Sequence, residues 1–490
     1  MLRDLNKAYT KILWATAIIA IIVFFWGLGS MDLLSLNEGR RALAIQEMVA
    51  SGNWLLPHLN GELYLTKPPL LYWLSSSFAL IWGVNEWTLR LPSALAAIAV
   101  LVMVYRYTLR QSGRWAALFA VQLLIANLGF AMLGRRAEIE MLLTALCVGS
   151  LLSALQYIQN QSSKNWIYFS YFLLALALMT KGPLVLLLVT LPLLIAAIYS
   201  NNPHIKAVLI SWRGWLIFVI VGLAWYAIVT WQLGFDIWAT VVKRDMLDKM
   251  QSDSAKPILS YLGWIAVDFM LLIGLFLVGA KEFFKQPIQQ VKQAYRQLPM
   301  QTPMQTPRQL VLLAATILPL IIFSLFSNKH AKYLLPIYPL IAILLAIKLA
   351  AIFDAATEAR KKIIVVIALL LPIGFAVFYA LLEPKIFAYR VAAFPTFSAW
   401  VSTIKQTDLY AYKEIDSRLV YYANKPIKIL DKNKLEQTKS MHKSFLLLVE
   451  ADDLSTVRLE ADCTVKEFSP YLKKNKSLTV FGFGQVCKNI

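Results

Sequence analysis

Charge is scarce in this 490-residue chain: Asp, Glu, Lys and Arg make up 16% of it, against 59% hydrophobic residues. A soluble protein carries about 25% charge, so water is not the main solvent of this one. Cysteine is scarcer still, three in all, which excludes a scaffold stapled by many disulfides. With four histidines in no cluster, and no Cys-x-x-Cys pair, the sequence carries no zinc-site signature. No repeat of about 20–50 residues is visible. Collagen-like, disordered and nucleic-acid-binding readings fall too. The last falls despite 48 Lys and Arg against 28 Asp and Glu, because the cations of a membrane chain first serve its orientation.

Long apolar runs are what the chain has instead. A spanning helix needs about 20 mostly apolar residues. Runs near 12–29, 88–105, 115–133, 141–157, 166–180, 183–200, 214–232, 258–279, 310–326, 334–352 and 363–382 qualify. This predicts a polytopic α-helical membrane protein with about 11–13 spans. No small-x-small cleavage site follows the first run, so it reads as a retained anchor. With the N-terminus in the cytoplasm, the inner loops collect about 18 cations and about 4 acids, the outer loops about 13 and about 12. The expected topology is therefore N-terminus inside and C-terminus outside.

Two domains are expected. Residues 1–382 form the membrane domain with a long first outer loop, 30–87. Residues 383–490 form a small α/β domain with strand-like runs at Ser417–Tyr422, Ser444–Val449 and Ser477–Gly482. Cys463 and Cys487 lie in it, and spacing alone leaves their pairing open. The segment Pro68–Gly83 is apolar but short and opens on two prolines. It reads as an interfacial helix on the outer surface, with Tyr72 and Trp73 at headgroup level.

Singly, the charged residues of the outer loops have ordinary explanations. Asn37 and Glu38 suit a helix N-terminus, and Lys67 before two prolines suits a solvated turn. Thr180-Lys181-Gly182-Pro183 is capping grammar, and 243–249 reads as a solvated helix face. Together they share one side and one depth of the membrane. Glu140 follows Arg135 and Arg136 directly into a span, where an acid is costly and by default functional. Lys329, His330, Lys332 and Tyr333 stand at another membrane boundary. Cations outside run against the orientation rule, and a phosphate at headgroup level is the economical reason to keep them. Carboxylates beside them suit a general base for transfer from that phosphate.

The motifs follow a recognisable order. Asn37-Glu38-Gly39-Arg40-Arg41-Ala42, Ser51-Gly52-Asn53-Trp54 with Pro57-His58-Leu59-Asn60-Gly61, Lys67-Pro68-Pro69-Leu70-Leu71-Tyr72-Trp73, Gly83-Val84-Asn85-Glu86 and Arg90-Leu91-Pro92-Ser93-Ala94 come in sequence. Thr180-Lys181-Gly182-Pro183 and Lys332-Tyr333-Leu334-Leu335-Pro336-Ile337-Tyr338-Pro339 continue it. This series resembles the bacterial ArnT-like branch of the protein-mannosyltransferase-type GT-C glycosyltransferases, over about residues 1–350. The tail resembles it by architecture only.

The resemblance implies an inverting transferase that moves a sugar from an undecaprenyl-phosphate carrier to a periplasmic-side acceptor such as lipid A, lipopolysaccharide core or another envelope glycan. It assigns Glu38 and Glu140 as catalytic acids, with Glu38 the preferred base. Lys67, Arg244, Lys249, Lys329 and Lys332 would bind the donor phosphate, and Asn37, Arg40, Arg136 and Tyr333 would position substrates. The family's metal ligands fall on Thr66 and Met246, neither a good zinc ligand. The expectation is no metal at those positions, with a carboxylate site elsewhere left open. Asn37 stands where the family has an acid, and an amide cannot serve as a base. A carrier-lipid binder or flippase is the alternative function. It needs no acids beside the phosphate and usually has charges near the midplane; here Asp268 is the chief charge within a span.

Overall fold

The computed structural model describes residues 2–160, 163–243, 256–269, 307–404, 407–441, 444–454, 457 and 461–488. The chain divides into two compact units. One comprises 1–26, 66–71 and 92–378; the other joins 27–65 and 72–91 to 379–490. Most of the loop expected at 30–87 thus folds with the tail, an association the linear order of the sequence did not suggest, while 66–71, with Lys67, belongs to the first unit.

The first unit is helical. Among the described residues of the chain, seven helices are long and apolar enough to cross a membrane. Helix α1 (Leu2–Phe25) has 24 residues, about 36 Å at 1.5 Å per residue, enough for a hydrocarbon core of about 30 Å. After α2 (Leu36–Ser51) and α3 (Leu70–Trp82), which contribute to the second unit, the sequence enters a 40-residue helix, α4 (Glu86–Ile125). Gly113 inside it sits at φ 83°, ψ 177°, a conformation open to glycine. The kink there separates the two spans read at 88–105 and 115–133. The second of these stops earlier than its hydrophobicity suggested. Asn127 accepts from the Phe130 amide at 2.8 Å and starts the short helix α5 (Leu128–Leu133). Polar capping therefore divides an apolar run. Helices α6 (Ile139–Asn160) and α7 (Asn165–Lys181) follow. Their short connection brings the start of α6 and the end of α7 to the same side. Further apolar helices include Pro307–Leu325, Tyr338–Ala355 and Glu358–Val377. Asp268 is buried and accepts the Tyr338 hydroxyl. The expected span 258–279 lies partly outside the described residues.

The second unit begins with residues 27–65. Helix α2 (Leu36–Ser51) is capped by Ser35, whose hydroxyl accepts the Glu38 amide at 3.1 Å. It ends at Gly52, as the Ser51-Gly52-Asn53 stop predicts. A two-residue turn, Asn60-Gly61, joins strands β1 (His58–Leu59) and β2 (Glu62–Leu63). Both turn residues have positive φ, 57° and 78°, the pattern that favours Asn-Gly in hairpins. Helix α3 (Leu70–Trp82) has 13 residues, about 20 Å and too short to span. Leu80, Ile81 and Trp82 are exposed on it. The expected headgroup position of Tyr72 is corrected: the ring is fully buried, and Arg41 Nη1 donates to its hydroxyl at 2.6 Å. Trp73 is likewise engaged, donating to the Trp54 carbonyl at 2.6 Å.

In the tail, five strands make one mixed sheet: β3 (Leu409–Tyr412), β4 (Lys428–Leu430), β5 (Ser444–Glu450), β6 (Cys463–Phe468) and β7 (Leu478–Gly484). Their order is β4-β3-β5-β7-β6. Strand β3 runs parallel to β4 and β5, while β7 is antiparallel to β5 and β6. The core joins Phe445, Leu447 and Val449 of β5 with Phe481 and Phe483 of β7. Cys463 and Cys487 form a disulfide. The strand expected at 417–422 is a helix, Ser417–Ala423. Asp416 caps its first turn by accepting the Arg418 amide, and Asn424 ends it at φ 51°. These end signals override the β-propensity of Leu419-Val420-Tyr421-Tyr422.

Candidate active site

In the membrane unit, four charged side chains meet where α6 begins. After α5, the turn Gly134–Ala137 delivers Glu138, whose amide donates to the Arg136 carbonyl at 2.7 Å. Glu140 then stands in the first turn of α6, where the helix dipole favours an anion. Both carboxylates are buried. Lys332 Nζ lies 3.1 Å from Glu138 Oε2 and 3.5 Å from Glu140 Oε1. Lys181, in the last turn of α7, reaches the same Glu140 oxygen at 3.2 Å. Its ammonium also stands 4.7 Å from the centre of the Tyr333 ring. Two carboxylates and two ammonium groups thus meet here, and Lys332 keeps 23% of its side chain exposed. The arrangement offers anionic oxygens for a proton and cations for an anionic leaving group within one cluster.

The neighbouring cations are placed differently. Arg135 Nη1 donates to the carbonyls of Val23 and Trp26, 2.5 Å and 3.0 Å away, satisfying the C-terminal end of α1. Arg136 is half-buried in the turn before Glu138. Lys329 is buried, and its Nζ donates to the carbonyls of Phe326 and Lys256 at 2.6 Å and 3.0 Å. Lys256 returns a bond to the Lys329 carbonyl at 2.9 Å. The pair clasps the loop before Lys332. His330 is exposed and meets Tyr333 edge-on. Lys67 is half-buried and donates to the Thr66 carbonyl at 3.0 Å. Arg244, Met246 and Lys249 lie outside the described residues.

In the second unit, Glu38 is completely buried. Arg90 Nε donates to its Oε1 at 2.9 Å, and the Leu34 amide donates to its Oε2 at 3.0 Å. The rest of the Arg90 guanidinium holds the carbonyls of Leu28, Met31 and Asp32 at 2.8, 2.7 and 3.1 Å. On the same helix Asn37 is half-buried and Arg40 exposed. Burial, aided by the nearby Glu86 carboxylate and opposed by Arg90, pushes the Asp32 carboxyl up to about 6.

The structure therefore gathers Glu140, Lys332 and Tyr333 into one cluster and places Glu38, Asn37 and Arg40 on α2 of the other unit. Two members of the cluster, Glu138 and Lys181, were not among the expected site residues. The signal was present for Lys181: antiparallel α6 and α7 bring its end of α7 level with Glu140. For Glu138 it was only proximity in sequence.

The chain is similar to several known proteins. The profile of the dolichyl-phosphate-mannose-protein mannosyltransferase family matches residues 66–227, and that of the Alg9-like mannosyltransferase family matches 256–412. An uncharacterised protein of Aquifex aeolicus is 26% identical over 84% of this chain and 88% of its own length. An undecaprenyl phosphate-alpha-4-amino-4-deoxy-L-arabinose arabinosyl transferase of Shewanella sediminis is 26% identical over 70% of this chain. That match covers 60% of the Shewanella enzyme, so this chain spans well under the full length of the aminoarabinose transferases it resembles. The crystal structure of ArnT from Cupriavidus metallidurans, bound to undecaprenyl phosphate, superposes with a TM-score of 0.77 at 16% identity, covering 96% of this chain and 97% of that one. The fold is shared with an archaeal oligosaccharyltransferase of Archaeoglobus fulgidus at a TM-score of 0.56 and 12% identity. By motif order and sequence relatives the chain is similar to the ArnT-like GT-C glycosyltransferases, and it shares their fold.

Proposed function

We propose that the protein transfers a sugar from a polyprenyl-phosphate carrier, undecaprenyl phosphate, to an acceptor on the periplasmic side of the bacterial inner membrane. The observation that carries this reading is the Glu138–Lys332–Glu140–Lys181 cluster at the start of α6. In this reading the acceptor oxygen attacks the anomeric carbon with inversion, and the bond to the carrier phosphate breaks. A carboxylate takes the acceptor proton, while cations stabilise the charge gathering on the departing phosphate. Glu140, with Glu138 beside it, suits the proton-accepting role; Lys332 and Lys181 suit the phosphate. Lys67, Arg244 and Lys249 join them by the family motifs. Glu38 was the first candidate base. Its oxygens already engage Arg90 and the Leu34 amide, which supports a role in shaping the loop. Lys329, spent on two carbonyls, fits the phosphate role less well than Lys332.

The Cys463–Cys487 disulfide supports a tail on the oxidising, periplasmic side, with the N-terminus cytoplasmic. Thr66 in place of a metal-binding acid supports a metal-independent reaction. Lipid A, lipopolysaccharide core and other envelope glycans are the acceptor classes that fit this location. Mass spectrometry of lipid A and envelope glycans from wild-type and deletion strains tests the reading. A sugar lost on deletion and restored by the gene, but not by its Glu140→Gln variant, is the expected result. Identical profiles in all strains would refute it.

A further inference from the structure

The segment Leu28–Leu34 has no regular secondary structure, although Leu28, Met31 and Leu33 are buried in it. Buried backbone without a ladder must find its hydrogen bonds on side chains. Here six of its backbone groups are held by side chains. Arg90 holds the carbonyls of Leu28, Met31 and Asp32, and Glu38 holds the amide of Leu34. The amide and carbonyl of Leu33 are held from the other end of the chain. Tyr422 Oη accepts the Leu33 amide at 2.8 Å, and Arg418 Nη1 donates to the Leu33 carbonyl at 3.4 Å. The same Tyr422 hydroxyl donates to Glu86 Oε1 at 2.8 Å, so both of its hydrogen-bonding capacities are in use. It ties the residue after Asp32 to the residue that opens α4.

Three further contacts extend the same junction. Gln46 Nε2 donates to the Tyr421 carbonyl at 3.3 Å and to Asn424 Oδ1 at 3.1 Å. The Asn60 side chain pairs with the backbone of Ile427 in both directions, at 2.7 Å and 2.9 Å. Gly39 lies so close to the tail helix that a Cβ there would stand 2.5 Å from Arg418 Cγ, a close approach that only glycine permits. Gly39, Asn60 and Glu86 are all motif residues whose chemistry the transfer reaction leaves unexplained.

We infer that the C-terminal domain is a positioning clamp for the first outer loop, and that Tyr422 is its central positioning residue. The clamp sets the conformation of Leu28–Leu34 and the seat of Glu38 against Arg90. This inference rests on the transferase reading for its consequence, since the loop it shapes carries the family motif, but the clamp itself stands on geometry within one unit.

Hydrogen exchange and product measurements on the full-length protein test it. Tyr422→Phe removes one hydroxyl and keeps the ring that stacks on Phe394. Amide exchange in peptides covering 30–46 is expected to rise on the order of tenfold, from the loss of two hydrogen bonds. Exchange in β5 and in α6 is expected to stay as in wild type. In a complemented deletion strain, at equal protein level, the glycan product is expected to fall about tenfold or more, as for a displaced site. Binding of undecaprenyl phosphate and the thermal transition are expected to persist. Asn60→Gly supplies a second variant, since glycine accepts the φ of 57° there while both bonds to Ile427 are lost. It is expected to act in the same direction.

Unchanged exchange at 30–46 in both variants would overturn the clamp. Faster exchange with full product would overturn the positioning role. Loss of carrier binding or of the thermal transition together with product would mark a general folding defect and overturn it as well. A wild-type strain whose glycans match the deletion strain would instead refute the transferase reading, while the exchange measurement would still decide the clamp.

Discussion

Arg90 donates to Glu38 at 2.9 Å, and neither side chain reaches solvent. A buried pair is strongly held once formed, because removing one partner strands the other charge away from water. Glu38→Gln is therefore expected to destabilise the protein by about 3–5 kcal/mol, read as a lowered thermal midpoint, together with any loss of transfer. Transfer abolished with the midpoint unchanged would mean that Glu38 acts in the chemistry and not through the loop it anchors.

The acids of α6 lead to the opposite expectation. Glu140 contacts Lys181 and Lys332, both of which retain some exposure. Loss of its charge leaves Lys332 still paired with Glu138. Glu140→Gln should then keep most of the stability and lower glycan product by about 10²-fold or more, the usual weight of a general base. Lys332→Met should lower it comparably, and the two changes combined should cost less than their sum, as for groups acting as a unit. Strict additivity in that double-mutant comparison would separate the two residues.

The membrane character and the family resemblance were legible because both are written locally. A run of about 20 apolar residues spans a bilayer whatever its neighbours do, and the motifs around Asn37, Lys67 and Lys332 are contiguous. What stayed hidden depends on pairing across the chain. Lys181 looked like ordinary capping, which it is, and only the fold puts its ammonium on Glu140. Glu38 looked free to act, and only Arg90, 52 positions later, explains its burial. Ser35-Leu36-Asn37-Glu38 is itself a capping-box pattern, a local clue that this acid has a structural task. The tail helix Ser417–Ala423 was misread because its apolar residues suit a strand, while the deciding caps are single residues at its ends. Its purpose, facing α2, could not be seen before the two segments met.

Asp32 gives the second unit a pH dependence of known sign. Its carboxyl sits at about 6 against an ordinary 3.8, mainly from burial and then from Glu86, with Arg90 and Tyr422 opposing. Between these values the folded chain holds a proton that the unfolded chain has released. Stability from this group therefore falls as pH rises from about 4 to about 6 and is level above that. Asp32→Asn should raise the thermal midpoint at pH 7 and leave it little changed at pH 4. Glu47 and Glu450 are raised in the same direction by burial, so a reduced slope should remain in the variant. A midpoint lowered at pH 7 by Asp32→Asn would contradict the assignment.

Thr66 and Met246 occupy the positions that would carry metal ligands in aminoarabinose transferases by the motif resemblance. A hydroxyl and a thioether are poor partners for zinc, which takes Cys, His or carboxylate. Two weak ligands in place of two strong ones remove most of the reason for a metal to stay. EDTA is accordingly expected to leave transfer by detergent-solubilised protein undiminished, and added zinc to leave it unchanged. The paired substitution Thr66→Glu with Met246→His supplies the converse, since it restores a carboxylate and an imidazole together. That variant is expected to retain zinc through gel filtration where wild type does not. Strong inhibition of the wild-type protein by EDTA, reversed by zinc, would show that other carboxylates hold a metal and that the reaction needs it.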